Sequence, residues 1–199
     1  MGLGGQQIHI VPKLNLVVAF TSALNPRAED YLDSLLNDYI MPSVKASSAL
    51  PANPGAAARL ESRIRKLQPS RRAVPPLPEI SLHVSGKTYT MESNSLGWQR
   101  LSLAFREGCD AAFLTVDGSG QVAIGLDNVF RVTEIPGLGP TAMRGRWEGA
   151  DTLVIEATSV GNPVESRLEM TFAGDAVNVT LEDMVFSAMK VNLHGTSQN

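Results

Sequence analysis

Leu168-Glu169-Met170-Thr171-Phe172-Ala173-Gly174-Asp175-Ala176-Val177-Asn178-Val179-Thr180-Leu181-Glu182 is the stretch on which the fold turns. Leu168, Met170 and Phe172 alternate with Glu169 and Thr171. After Gly174-Asp175, Val177, Val179 and Leu181 alternate with Asn178, Thr180 and Glu182. A period of two puts every apolar residue on one face of an extended chain, and a glycine-centred break between two such runs predicts a hairpin. The same period recurs upstream, in Leu101/Leu103/Phe105 against Ser102/Ala104/Arg106 and in Ile80/Leu82/Val84 against Ser81/His83/Ser85. Glycine-containing turns at Ser85-Gly86, Asp117-Gly118-Ser119-Gly120, Glu148-Gly149-Ala150-Asp151 and Ala173-Gly174-Asp175 punctuate the alternating runs, as in an antiparallel meander. From Glu79 to residue 196 the pattern predicts strands alone, about seven to nine of them. One apolar face per strand and no crossover helix point to an antiparallel barrel or sandwich, and the sequential hairpins favour the barrel.

Ahead of this region the periodicity differs. Residues 6–21 hold two β-branched runs around Pro12-Lys13-Leu14-Asn15, a predicted hairpin. Its second run, Leu16-Val17-Val18-Ala19-Phe20, is apolar without alternation and so predicts a strand covered on both faces. Asn25-Pro26, with Glu29 and Asp30 in the first turn, starts a helix over 26–40 whose Leu32, Leu35, Leu36 and Tyr39 share a stripe, with Pro42 as the stop. Asn53-Pro54 opens a second, with Leu60, Ile64 and Leu67 on one face against Arg59, Arg63, Arg65 and Lys66. Residues 69–78 carry four prolines and read as a stiff, extended connector. The fold class is therefore mainly β: an antiparallel β-barrel preceded by a β-hairpin and two helices. Its expected segments are the hairpin and first helix (1–48), the second helix and linker (49–78), and the barrel (79–199).

Composition narrows the function. With 199 residues, 43% hydrophobic, the chain can bury a core, and a net charge of -3 with no Lys/Arg block argues against nucleic acid or an anionic membrane as partner. No apolar run reaches the ~20 residues of a membrane helix. Met1 to Gly5 lacks the charged head and apolar stretch of a signal peptide, while the location stays open between cytoplasm and periplasm. Cys109 stands alone, so neither an internal disulfide nor a cysteine-based zinc site is expected.

No catalytic residue and no metal or other cofactor is predicted. His9, His83 and His194 are far apart, without metal-ligand spacing. Ser187-Ala188-Met189-Lys190 has the Ser-x-x-Lys spacing of penicillin-recognising enzymes, but Val185 to Leu193 reads as a strand, where positions i and i+3 face opposite ways. Gly118-Ser119-Gly120 reads as a turn, and Asn178-Val179-Thr180, a glycosylation string, falls inside a strand. The aromatics Trp98, Phe105, Trp147 and Phe172 either fill the barrel core or, in a hollow barrel, line a cavity for a small apolar ligand.

Gly2-Leu3-Gly4-Gly5-Gln6-Gln7-Ile8-His9-Ile10-Val11-Pro12-Lys13-Leu14-Asn15-Leu16-Val17-Val18-Ala19-Phe20-Thr21-Ser22 resembles the end of the catalytic domain of β-lactamase and penicillin-binding-type serine hydrolases. The likeness is to the class C, esterase and 6-aminohexanoate-dimer hydrolase branch. There a glycine-rich segment leads into an edge strand, a proline turn, an apolar return strand and a closing helix. Residues 84–89 with 94–98, then Trp147 with Asp151-Thr152-Leu153, are similar to the lipocalin-like barrel that some of these hydrolases carry. The resemblance implies that the chain is the C-terminal portion of such a hydrolase. It then lacks the Ser-x-x-Lys helix and second motif, and is inactive alone. Gly4, Gly5 and Gln6 become flanks of a substrate groove, and the barrel an accessory domain packed against the catalytic domain. The partner implied is that domain or a second copy of this chain. The strand Leu16 to Phe20, separated from its sheet, should find shelter from such a copy, the following helix or the barrel.

Overall fold

The computed structural model describes residues 2, 4–24, 30–46, 48–67, 71–185 and 189–197. They belong to two compact units, Met1–Pro69 and Ser70–Asn199. In the first, β1 (Gln7–Val11) and β2 (Leu16–Phe20) pair antiparallel from Gln7↔Phe20 to Val11↔Leu16. Pro12–Leu14 forms a single 3-10 turn between them, and Asn15 closes it at φ +48, a left-handed conformation that asparagine tolerates better than most residues.

The burial of this hairpin departs from the expectation. Gln7, His9, Val11, Leu16, Val18 and Phe20 are buried or half-buried, but Ile8, Ile10 and Val17 on the other face are 73%, 69% and 64% exposed. Leu16–Phe20 is thus covered on one face only. Among the described residues nothing covers the other face. The buried side lies near the following helix, since a Cβ at Gly5 would come 3.0 Å from Leu32 Cδ1 and 3.6 Å from Leu24 Cδ1.

That helix begins as α1 (Asp30–Ser34), widens into a π-helical stretch (Leu35–Ile40) and ends in α2 (Met41–Ser43). Its predicted start at Asn25-Pro26 lies outside the described residues. Leu32 and Leu36 are buried as the stripe requires, whereas Tyr39 is exposed. Pro42 sits inside the last turn instead of ending the helix ahead of it. The widened turn directly before it is where a ring without an N–H is accommodated in a helical ladder.

α3 (Pro54–Leu67) follows the second Asn-Pro start, with Asn53 Oδ1 accepting from the Ala56 amide at 3.0 Å. It buries no residue, and Leu60, Ile64 and Leu67 are exposed. Helix-intrinsic terms therefore govern its stability. Asn53→Ala should cost this helix about 1 kcal/mol, visible as reduced helicity by circular dichroism while near-ultraviolet signals of the barrel stay unchanged.

In the second unit, the first element corrects the sequence reading. Glu79 to Val84 is a helix, α4 (Glu79–Val84), and not a strand. Five residues of apolar alternation also place Ile80 and Val84 one helical turn apart, and Pro78 stands just outside the first turn. Burial follows the helical spacing: Ser81 and Val84 are fully buried while Leu82, apolar by pattern, is exposed. α4 lays Ile80 and Val84 on the barrel core.

The strands are β3 (Thr88–Met91), β4 (Arg100–Ala104), β5 (Ala111–Val116), β6 (Val122–Gly125), β7 (Arg131–Ile135), β8 (Gly139–Glu148), β9 (Thr152–Ser159), β10 (Glu165–Ala173), β11 (Ala176–Asp183) and β12 (Lys190–Ser197). They form a mainly antiparallel sheet in the order β6-β5-β4-β3-β12-β11-β10-β9-β8-β7. The sheet closes as a nine-strand barrel where β6 meets β8 at Gly125↔Arg144, leaving β7 beside the first half of β8. Strands that alternate in direction cannot close a ring of odd number without one like-directed pair. The β6–β8 bridge is that pair, and it is parallel.

Inside, the alternating residues that announced the strands make the core. Leu101, Leu103, Leu168, Met170, Phe172, Val177 and Val179 are buried, joined by Tyr89, Ile124, Leu153 and Ile155. On the outside, register sets Arg144 opposite Glu156, Glu156 opposite Arg167, Arg167 opposite Glu182 and Glu182 opposite Lys190. This rung of alternating charge crosses five strands, and within it Arg144 pairs with Glu156 at 2.6 Å and Lys190 with Glu182 at 2.8 Å.

Candidate functional site

The closure of the barrel leaves a gap. β8 is the longest strand at 10 residues; one edge pairs with β9 throughout 141–148, and the other with β7 up to Met143 and with β6 at Arg144. Beyond Arg144 that second edge has no strand partner among the described residues. Successive backbone groups of a strand point alternately to its two edges, so some of those of Gly145 to Glu148 face the gap unpaired.

Into this place comes the segment read from sequence as a connector. Residues 71–78 belong to the barrel unit, and Val74 and Leu77 pack on its core. Prolines remove backbone donors and hold the chain extended, which suits a strap lying over a surface instead of joining a sheet. An acid-base latch secures its beginning. Arg71 Nε lies 2.8 Å from Asp127 Oδ2 and its terminal nitrogen bonds Asp110, while Arg131 reaches Asp127 at 3.0 Å and Asp110 at 3.2 Å. The Arg72 amide donates to the Asp127 carbonyl at 2.8 Å. Asp127 is only 1% exposed. Burial alone would push its carboxyl up; hydrogen bonds from Arg131 and the Val129 amide, with the Arg131 charge, outweigh this and hold it below its ordinary 3.8.

Between strap and barrel lies a pocket of about 490 Å³. Val74, Pro75, Leu77, Leu126 and Trp147 supply its apolar wall, and Arg72, Arg144, Arg146 and Glu156 its charged one. Glu156 is held between two guanidinium groups, Arg144 at 2.6 Å and Arg146 at 2.7 Å. Burial raises its carboxyl, but these two hydrogen bonds and charges prevail and keep it below its ordinary range. Arg144 lies 4.6 Å over the Phe130 ring and Arg146 also binds Glu148 at 2.6 Å. The indole Nε1 of Trp147 is buried with no hydrogen-bond partner among the described residues.

Of the aromatics singled out in the sequence, Trp147 alone lines this pocket. Its ring centroid is 5.5 Å from that of Phe105 and 6.0 Å from that of Phe172, which in turn contacts Tyr89 at 6.0 Å. Phe105 and Phe172 thus form a packed interior cluster behind the pocket. Trp98 packs on the core from the β3–β4 turn, a loop organised by Asn94, whose Oδ1 accepts from the Leu96 and Trp98 amides. Gly4, Gly5 and Gln6 belong to the first unit and are engaged with Ser22: its hydroxyl donates to the Gly4 and Gly5 carbonyls, and Gln6 Nε2 bonds its carbonyl. A Cβ at Gly5 would come 2.8 Å from Ser22 Oγ.

The remaining candidates sit apart from one another. Ser187 lies outside the described residues; β12 begins at Lys190, whose amine pairs with Glu182 at 2.8 Å. His9 contacts Gln7, His194 contacts Asn178, and His83 Nε2 accepts from Lys87. The charged wall was missed in the sequence because Arg144 and Arg146 occupy the outer, polar positions of their strand. The legible signal was Arg144-Gly145-Arg146-Trp147 itself, two cations flanking a glycine and ending on an aromatic.

No family model matches the chain, and no curated protein matches it. Among solved structures it is similar to secretory abundant heat soluble protein 4 from Ramazzottius varieornatus, with 12% sequence identity, a TM-score of 0.41, and coverage of 50% of this chain and 69% of that one.

Proposed function

We propose that the barrel unit binds a small, largely apolar molecule between its strap and the free edge of β8. The pocket carries this reading: about 490 Å³ lies within the range of ligand sites, and apolar side chains dominate one wall while a few polar groups converge on the other. Extended, proline-rich backbone lining a cleft costs little entropy to hold open, because its φ angles are already restricted.

Calorimetric titration of the whole chain with octanol tests it. Saturable binding at one site is expected, and Ala73→Trp, which places a bulky ring in the pocket wall from an exposed position, should weaken it at least about tenfold, the equivalent of about 1.4 kcal/mol. Absence of saturable binding, or binding indifferent to Ala73→Trp, overturns the assignment.

A second reading, that the chain is the accessory C-terminal region of a β-lactamase-type serine hydrolase, is favoured by the exposed Ile8, Ile10 and Val17 face of the hairpin. Such a surface suits burial in a larger sheet. Upstream coding sequence tests it: a continuous frame encoding Ser-x-x-Lys on a helix supports it, and an interrupted frame overturns it.

A further inference from the structure

We infer that the molecule held in this pocket carries an anionic group at one end, received by Arg72; the inference rests on the ligand-binding reading above. The charged wall contains three arginines and one glutamate. Glu156 is occupied by Arg144 and Arg146, and Arg146 is shared further with Glu148. Arg72 differs. Its backbone is fixed through the 2.8 Å bond to the Asp127 carbonyl, yet among the described residues its guanidinium makes no ion pair and no hydrogen bond. Its neighbour Arg71 is spent on Asp110 and Asp127.

The pocket therefore has an uncompensated cation at the rim of an apolar wall. A guanidinium presents a planar fork of donors matched to a carboxylate, and next to low-dielectric surface that attraction is screened less than in open water. The one carboxylate in the pocket wall is already engaged, since each Glu156 oxygen accepts from an arginine, so it offers a cationic end group little. The class of ligand is thus a small amphipath with an apolar body and one anionic end.

Octanoate, octanol and octylammonium share one chain and differ only in charge. Titrated calorimetrically into the full chain, octanoate should bind about tenfold tighter than octanol, as one charge-assisted contact allows, and octylammonium weakest. Arg72→Gln should abolish the preference, bringing octanoate to the affinity of octanol measured on the same variant, while Arg72→Lys keeps part of it. Equal affinity of octanoate and octanol, or a preference that survives Arg72→Gln, overturns the anionic end and leaves the pocket standing. Failure of all three to bind overturns the pocket assignment and the inference together.

Discussion

Gly125→Ala should destabilise the barrel unit by about 3 kcal/mol or more, lowering its Tm by roughly 10 °C in a thermal melt followed by near-ultraviolet circular dichroism. A Cβ at residue 125 would stand 1.8 Å from the Val129 carbonyl oxygen and 3.0 Å from its carbon. These are backbone atoms, so no rotamer change relieves the clash. The loop 126–130 or the β6–β8 bridge must move, and that bridge is the one contact of like-directed strands that completes the ring. Gly145→Ala is the internal comparison. Its nearest neighbour is a side-chain methyl, Ile124 Cγ2 at 2.9 Å, which has more freedom to give, and the loss should be smaller. A Gly125→Ala protein melting with wild type would show that the seam does not pass as closely as described.

The second large effect concerns the latch. Asp127→Ala removes the acceptor shared by Arg71, Arg131 and the Val129 amide. The expected cost is about 2 kcal/mol, below the roughly 3–5 of a fully buried pair, because Asp110 still serves Arg131 and Arg71 can return to water. Hydrogen exchange should report it locally, with amides of the strap exchanging faster and those of β10 and β11 following only the global change. The sign of the pH dependence follows from the depressed Asp127 carboxyl. Its ionised form favours the folded state, so the contribution is complete above the ordinary value of 3.8 and disappears as the pH falls from there through the folded-state value. Asp127→Asn should therefore lose less stability than wild type between neutral pH and pH about 2. Parallel stability–pH curves for the two proteins would contradict this assignment.

The sequence made legible those elements in which one chemical pattern admits one geometry. Leu168/Met170/Phe172 and Val177/Val179 alternate over enough residues that only a strand buries them together, and Asn53-Pro54 carries its own cap. Ile80/Leu82/Val84 spans too few residues to separate a period of two from a single helical turn. Leu16 to Phe20 is apolar throughout, and apolarity says which residues favour burial, not whether the sheet has enough layers to bury them. The pocket stayed hidden for a related reason. Residues 71–78 have the composition of a linker, and nothing local reveals that Val74 and Leu77 find a core or that Arg71 finds Asp110 and Asp127 beyond 35 residues of intervening chain. Trp147 was legible as an aromatic on a strand, and its position on the pocket side of the Phe105/Phe172 cluster is a product of closure.

The ladder between β3 and β12 sets the order of events during assembly. Most other neighbours in the ring are joined by a turn or a short loop, so their hairpins can zip as soon as both arms exist. Tyr89 to Met91 instead await Gly195 to Ser197, and only three residue pairs hold them. Until those residues pair, the cylinder is a curled ribbon with raw margins at β3 and β12; in the finished cylinder the single Gly125↔Arg144 rung is the thinner seam and the place where unrolling would begin.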